Sequence, residues 1–186
     1  SLEKMKEIVR GQLQRELDGA ARVKLKRELL DELDRSHVFD LPPSLVDFEF
    51  ANIWRQVESN MKAANKTFPD EGKAEDEAKA EYRKIAERRV RLGLVVGEIG
   101  EKNKITVSQD ELRRALVEQA RRYPGQEKMV YEYYEKTPGA LAELRAPIFE
   151  DKVIDFIVDA AKPVEKKVGK EELLKQVEEA TQKDSD

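Results

Sequence analysis

Apolar residues recur at helical spacing from the first turn of the chain. Leu2, Met5, Val9, Leu13, Leu17 and Ala20 follow one another at steps of 3, 4, 4, 4 and 3. The pattern continues through Leu25, Leu29 and Leu33 and predicts an amphipathic helix over about Leu2–Arg35. Gly19 lies inside it, and a glycine costs about 1 kcal/mol relative to alanine there, so a bend or break is expected near that residue. His37-Val38-Phe39-Asp40-Leu41-Pro42-Pro43 then stops the helix, because the residue before a proline is pushed to extended geometry. A first-turn proline opens the next helix without losing a hydrogen bond. Its predicted apolar stripe is Leu45, Phe48, Ile53 (or Asn52), Val57 and Met61 (or Asn60), with Trp54 beside it, up to a turn-rich tip at 67–72.

The segment from Gly72 to Glu101 reads as one helix of about 45 Å at 1.5 Å per residue. Its first half is polar apart from Ala74, Ala78, Tyr82 and Ile85, whereas Val90–Ile99 is apolar on most sides. One end is therefore expected to project into solvent and the other to lie in a packed body. An extended piece, Lys104–Val107, follows. Ser108-Gln109-Asp110-Glu111 has the spacing of a capping box, in which hydroxyl and carboxylate each satisfy an orphan N–H of the first turn. That helix runs to Arg122 and stops at Tyr123-Pro124-Gly125; a short one spans about Gln126–Lys136. Thr137-Pro138 is expected to cap and open a helix to about Ala161, kinked at Pro147. Val164–Val168 reads as a short strand or linker, Lys170–Thr181 as a last helix, and 182–186 as a frayed tail.

Composition narrows the chemistry. Of 186 residues 40% are charged, against roughly 25% in an ordinary domain. Only 39% are hydrophobic, which suits an open shape more than one thick core. The net charge of −4 gives no basic footprint, so nucleic-acid binding is not expected. The absence of cysteine excludes disulfides, thiolate metal sites and a cysteine nucleophile. No apolar run approaches the length of a membrane span, and no secretory signal opens the sequence.

Familiar catalytic arrangements also fail. There is no G-x-x-x-x-G-K-[ST] phosphate loop and no G-x-S-x-G elbow. Gly93, Gly97 and Gly100 read as small residues that let helices approach closely. His37, the single histidine, reads as a solvated or backbone-bonded imidazole at a helix end. Glu150, Asp151 and Asp155 read as a solvated helix face, and Arg121 and Arg122 suit a helix carboxyl end. No catalytic residue, cofactor or metal ligand is expected.

What stands out is apolar side chains in odd places. Trp54, Met61 and Phe68 lie near the predicted tip, and Met129, Val130, Tyr131, Tyr133 and Tyr134 crowd a short helix between turns. Apolar and methionine-bearing surface amid mixed charge suits adaptable binding of varied chains. Packing against neighbouring helices is the competing explanation for each of these side chains.

Several blocks resemble the carboxyl-terminal domain of bacterial trigger factor. They are Arg88-Arg89-Val90-Arg91-Leu92-Gly93-Leu94-Val95-Val96-Gly97-Glu98-Ile99, then Asn103–Ser108, Tyr123-Pro124-Gly125-Gln126 and Leu144–Val153. Upstream, Val38–Val46 resembles the leucine-proline entry to the first arm of that family. Pro163-Val164 and Gly169 depart from the family's usual terminal block.

The resemblance implies an all-α chaperone domain over 1–186. Its body would be about 2–35 plus 137–181, with arm one at about 43–101 and arm two at about 108–136, the arms forming a cradle. Its implied partners are unfolded or nascent polypeptides, bound without ATP and without enzymatic turnover. Phe39, Trp54, Met61, Phe68, Met129, Val130, Tyr133 and Tyr134 are the expected client contacts. In the longer family protein, separate domains without counterpart here would contact the ribosome and isomerise prolyl bonds. The expected setting is the cytoplasm, without nucleic acid or membrane as direct partner, and weak self-association is compatible with it. A SurA-like periplasmic chaperone core and a helical adaptor or dimerisation module with one protein partner are the alternatives.

Overall fold

A computed structural model describes residues 1–68, 74–164 and 166–182. The described residues form seven α-helices and no strand. They are α1 (Leu2–Ser36), α2 (Pro43–Ala64), α3 (Glu75–Lys102), α4 (Gln109–Arg121), α5 (Glu127–Lys136), α6 (Ala140–Ala161) and α7 (Lys170–Gln182). The chain divides into two compact units, Ser1–Leu92 with the chain from Val164 onward, and Gly93–Pro163. The boundary falls within α3. This grouping places α6 with α4 and α5.

In the first unit α7 packs along α1. Gly19 does not interrupt α1, which continues to Ser36. Its carboxyl end buries Leu33, while Leu2, Met5, Ile8, Val9 and Leu13 remain exposed on the amino-terminal half. Spacing thus places these residues on one face without saying whether anything covers it. α2 lies alongside the first part of α3 and runs opposite to it. Arg83 reaches Asp47 at 2.8 Å and Arg89 reaches Glu49 at 3.0 Å, while Glu75 shares a hollow with Glu58 and Met61. Arg88 bonds Asp31 and Asp34, and Arg91 bonds Asp34 at 2.7 Å, so one i,i+3 pair of arginines meets one i,i+3 pair of aspartates. The Arg83–Asp47 pair is exposed and adds little stability, whereas the Arg91–Asp34 side chains are only 21% and 22% exposed and are screened less by water.

The polar first half of α3 is not bare. Ala78 and Ala86 are fully buried, and Tyr82 packs edge-on against Trp54 at 6.0 Å. Small alanines take these buried positions, so hydropathy understates the burial of this half. The face of α2 is corrected. Val46, at 4% exposure, takes the inward position in the first turn, while Leu45 and Phe48 point outward, Phe48 at 69%. Val46, Phe50, Ile53 or Trp54, Val57 and Met61 are the better 3.6-residue series.

The second unit buries Val95, Val96, Leu112, Ala120, Val130, Ala140, Val153 and Ile154. The end of α3 passes against α6 at Gly100, where an added Cβ would sit 2.2 Å from Phe149 Cζ. Gly93 and Gly97 meet nothing within 4 Å, so close approach explains only Gly100 among the three. α3 ends in a Schellman turn, with Ile105 N–H donating to Gly100 O and Lys104 N–H to Glu101 O. Lys104 therefore has φ 55° and is left-handed, not extended as expected.

The capping box forms as predicted. Ser108 N–H donates to Glu111 Oε2 at 2.7 Å, and Glu111 N–H to Ser108 Oγ at 3.2 Å. Gly125 and Gly139 hold positive φ at the turns flanking α5. Thr137-Pro138-Gly139 is a turn before α6, which starts at Ala140, later than the Thr137 cap implied, and runs through Pro147. Val164 and 166–168 carry no regular structure.

Candidate functional site

The first candidate cluster lies between α2 and α3. Trp54 sits on the inward face of α2, one turn after Phe50, with ring centroids 5.9 Å apart and planes 23° from parallel. Phe68, just beyond α2, also stacks on Trp54, at 5.1 Å and 9°. The Trp54 indole N–H donates to Glu58 Oε1 at 2.8 Å. Lys79 Nζ lies 5.3 Å from the indole centroid and 2.6 Å from Glu75. The Glu75 hydrogen bond raises the lysine's pKa above its ordinary value, and the ammonium is placed for a cation–π contact with the indole. Trp54 is thus partnered by Phe50, Phe68, Tyr82, Lys79 and Glu58, and its rings are half-buried.

Beside this stack is an open hollow of about 410 Å³ lined by Met61 and Phe68, with Glu58, Lys62, Lys66 and Glu75 around it. An apolar floor with a mixed-charge rim takes a large nonpolar side chain while leaving the flanking backbone hydrated.

The second cluster is on α5. One helical face carries Met129 and Tyr133, four residues apart, at 61% and 49% exposure. Tyr131 is also exposed, on the far side of the helix. The adjoining face carries Val130, which is buried, and Tyr134, which is half-buried. The rings of Tyr133 and Tyr134 meet edge to face at 5.2 Å and 82°. Val130 anchors α5 in the core of its unit and presents nothing to a ligand.

Of the eight sequence-derived candidates, Trp54, Met61 and Phe68 come together on the first unit, and Met129, Tyr133 and Tyr134 on the second. Phe39 is exposed on the connector between α1 and α2. Exposed apolar residues that pattern reasoning missed include Val38, Leu45 and Phe48. The Phe48 error comes from helix phase: counting backward from Met61 in steps of 4, 4, 3 and 4 selects Val46 over Leu45 and leaves Phe48 off the stripe.

No nucleophile is poised at either cluster. His37 Nδ1 lies 2.9 Å from the carbonyl of Leu33, so the ring closes the end of α1 as a backbone-bonded imidazole. Among the described residues no group of three acidic, histidine or cysteine side chains is arranged to hold a metal ion. None of the described helices is long and apolar enough to cross a membrane. The surfaces offer apolar contact, aromatic faces and peripheral charge.

Comparison with known proteins bears on those surfaces. Residues 1–159 match the family described as bacterial trigger factor protein (TF) C-terminus. The chain is 60% identical over 176 residues to a trigger factor of Afipia carboxidovorans, covering 95% of this chain and 39% of that protein. It is 56% identical over 181 residues to a trigger factor of Rhodopseudomonas palustris, covering 97% of this chain and 40% of the relative. The chain therefore spans about two fifths of the length of these relatives.

Proposed function

We propose, from the premise that this chain belongs to the bacterial trigger factor family and matches its carboxyl-terminal part, that it holds unfolded or nascent polypeptides without ATP. The observation that carries this reading is the α5 face of Met129 and Tyr133, whose large apolar side chains are exposed on a unit that buries Leu112, Val130, Val153 and Ile154. The Met61–Phe68 hollow on the other unit supplies a second place for a nonpolar side chain. Each contact is weak alone. A client engaged at one of them is held at raised effective concentration near the other, which gives avidity with fast local exchange.

Selectivity for the unfolded state follows from what is recognised. Large nonpolar side chains are exposed in a non-native chain and buried once it folds, so the holder draws on the unfolded population by mass action and slows aggregation. The dense mixed charge keeps the holder soluble when its own apolar surface is exposed. Ribosome contact and prolyl isomerisation, which the family resemblance attributes to other regions of a longer protein, are proposed for those regions, and the cytoplasm for the whole.

The test is dilution of several unrelated denatured proteins into buffer with this chain, with light scattering as readout. Aggregation falls for most clients at stoichiometric chain. Activity towards none of them would contradict the reading and favour a helical adaptor with one partner.

A further inference from the structure

The α4–α5 hairpin that carries Met129 and Tyr133 is seated on α6 by contacts that differ in kind. Leu112 and Ala120 of α4, Val130 of α5, and Ala140, Val153 and Ile154 of α6 are buried apolar groups. Their attraction is non-directional, and the small alanines permit sliding or rotation. Lys152 adds the directional part. Its ammonium donates to Thr106 O at 2.7 Å, to Glu111 Oε1 at 2.8 Å and to Glu111 Oε2 at 3.0 Å.

We infer that Lys152 is a positioning residue for client binding: it sets the angle at which α4 leaves the α3–α4 connector and hence how α5 presents Met129 and Tyr133. This rests on the holdase reading above.

Both ends of the tie are fixed. Lys152 immediately precedes Val153 and Ile154, the best-buried large side chains of the protein, so the adjoining α6 backbone is anchored in the core. Glu111 is the N3 residue of the capping box, and the carboxylate that closes the first turn of α4 also receives the Lys152 ammonium. Thr106 lies in the irregular stretch between α3 and α4, where no helix ladder holds it. One cation thus joins the connector, the first turn of α4 and α6. The Lys152 and Glu111 side chains are 35% and 24% exposed, so water and salt screen this tie less than a fully exposed pair. Glu111 accordingly has its pKa lowered to about 2, first by the Lys152 hydrogen bond and then by those from Ser108.

The leverage is geometric. α4 has 13 residues and is about 20 Å long, so a rotation of about 10° at its start moves its far end, next to α5, by about 3 Å. If the seated orientation falls to about a third of the population, the apparent Kd for a client rises about threefold.

The experiment compares Lys152→Met and Lys152→Arg with the unaltered chain. Far-UV circular dichroism checks helicity, amide hydrogen exchange follows residues 105–112, methyl NMR follows Met129, and titration with one reduced, permanently unfolded protein measures affinity. Lys152→Met keeps its helicity, exchanges faster at 105–112, shifts the Met129 methyl resonance and weakens client binding about threefold; Lys152→Arg restores affinity to within about twofold. Unchanged affinity and an unchanged Met129 resonance in Lys152→Met would overturn the inference. Failure of the unaltered chain to bind would defeat the holdase reading instead, and the client-free Met129 resonance would still decide the seating of α5. Should Lys152→Met not fold, Lys152→Gln, which retains an N–H donor without the charge, is read by the same measurements.

Discussion

The two aromatic clusters are built from similar residues and used differently. At Trp54 the rings face one another: Phe50 and Phe68 stack on the indole, Tyr82 closes its edge and Glu58 takes its N–H. On α5, Met129 and Tyr133 face outward, and only Val130 and Tyr134 beside them pack inward. An aromatic residue whose faces are occupied holds its own fold together, whereas one left exposed is available to something else. The first cluster is therefore mostly framework with a hollow at its border, and the second is mostly surface.

Substitutions can break that contrast. Trp54→Ala has the largest effect expected, a loss of roughly 2–3 kcal/mol, because it removes a stacked, hydrogen-bonded side chain from the α2–α3 contact. Urea unfolding followed by circular dichroism measures it, and an unchanged midpoint would mean the stack is not framework. Gly100→Ala comes next: its Cβ would overlap the Phe149 ring and cost about 1–3 kcal/mol. The same change at Gly93, which meets no neighbour, should be neutral or slightly stabilising by thermal melting.

The converse change is Met129→Ser with Tyr133→Ser. Stability moves by about 0.5 kcal/mol or less, as befits exposed sites, while affinity for an unfolded client falls about tenfold in a fluorescence titration. If helicity collapses instead, α5 is framework as well and the contrast disappears.

The smallest effect is electrostatic. Glu111 has a folded pKa of about 2 against an ordinary 4.5, so its contribution to stability is fully present above the ordinary value and is lost as pH falls through about 2. Acid titration of Glu111→Gln should show a shallower decline of stability across that window than the unaltered chain.

Much of the fold was legible because its signals are local. The Ser108–Glu111 capping box needs only four residues, and the prolines at 42 and 43 mark the start of α2 wherever the helix packs. Features that depend on distant partners were not. Ala78 and Ala86 carry little hydropathy yet are buried, and the exposed stripe of α1 has the same periodicity as a covered one. The candidate site was legible by residue type but not by orientation: Met129, Val130 and Tyr133 look equivalent in sequence, and the phase of α5 alone turns Val130 inward. Lys152 gave no signal, since its partners are 41 and 46 residues away.

The most direct test uses the methionines. There are three, Met5, Met61 and Met129, so methyl labelling places one reporter in the hollow beside Phe68 and another on the exposed face of α5. On titration with a permanently unfolded protein, the Met61 and Met129 resonances should shift or broaden saturably, and the folded form of the same protein should leave both unchanged. Two unmoved resonances at saturating client, or equal responses to the folded and unfolded forms, would contradict the account.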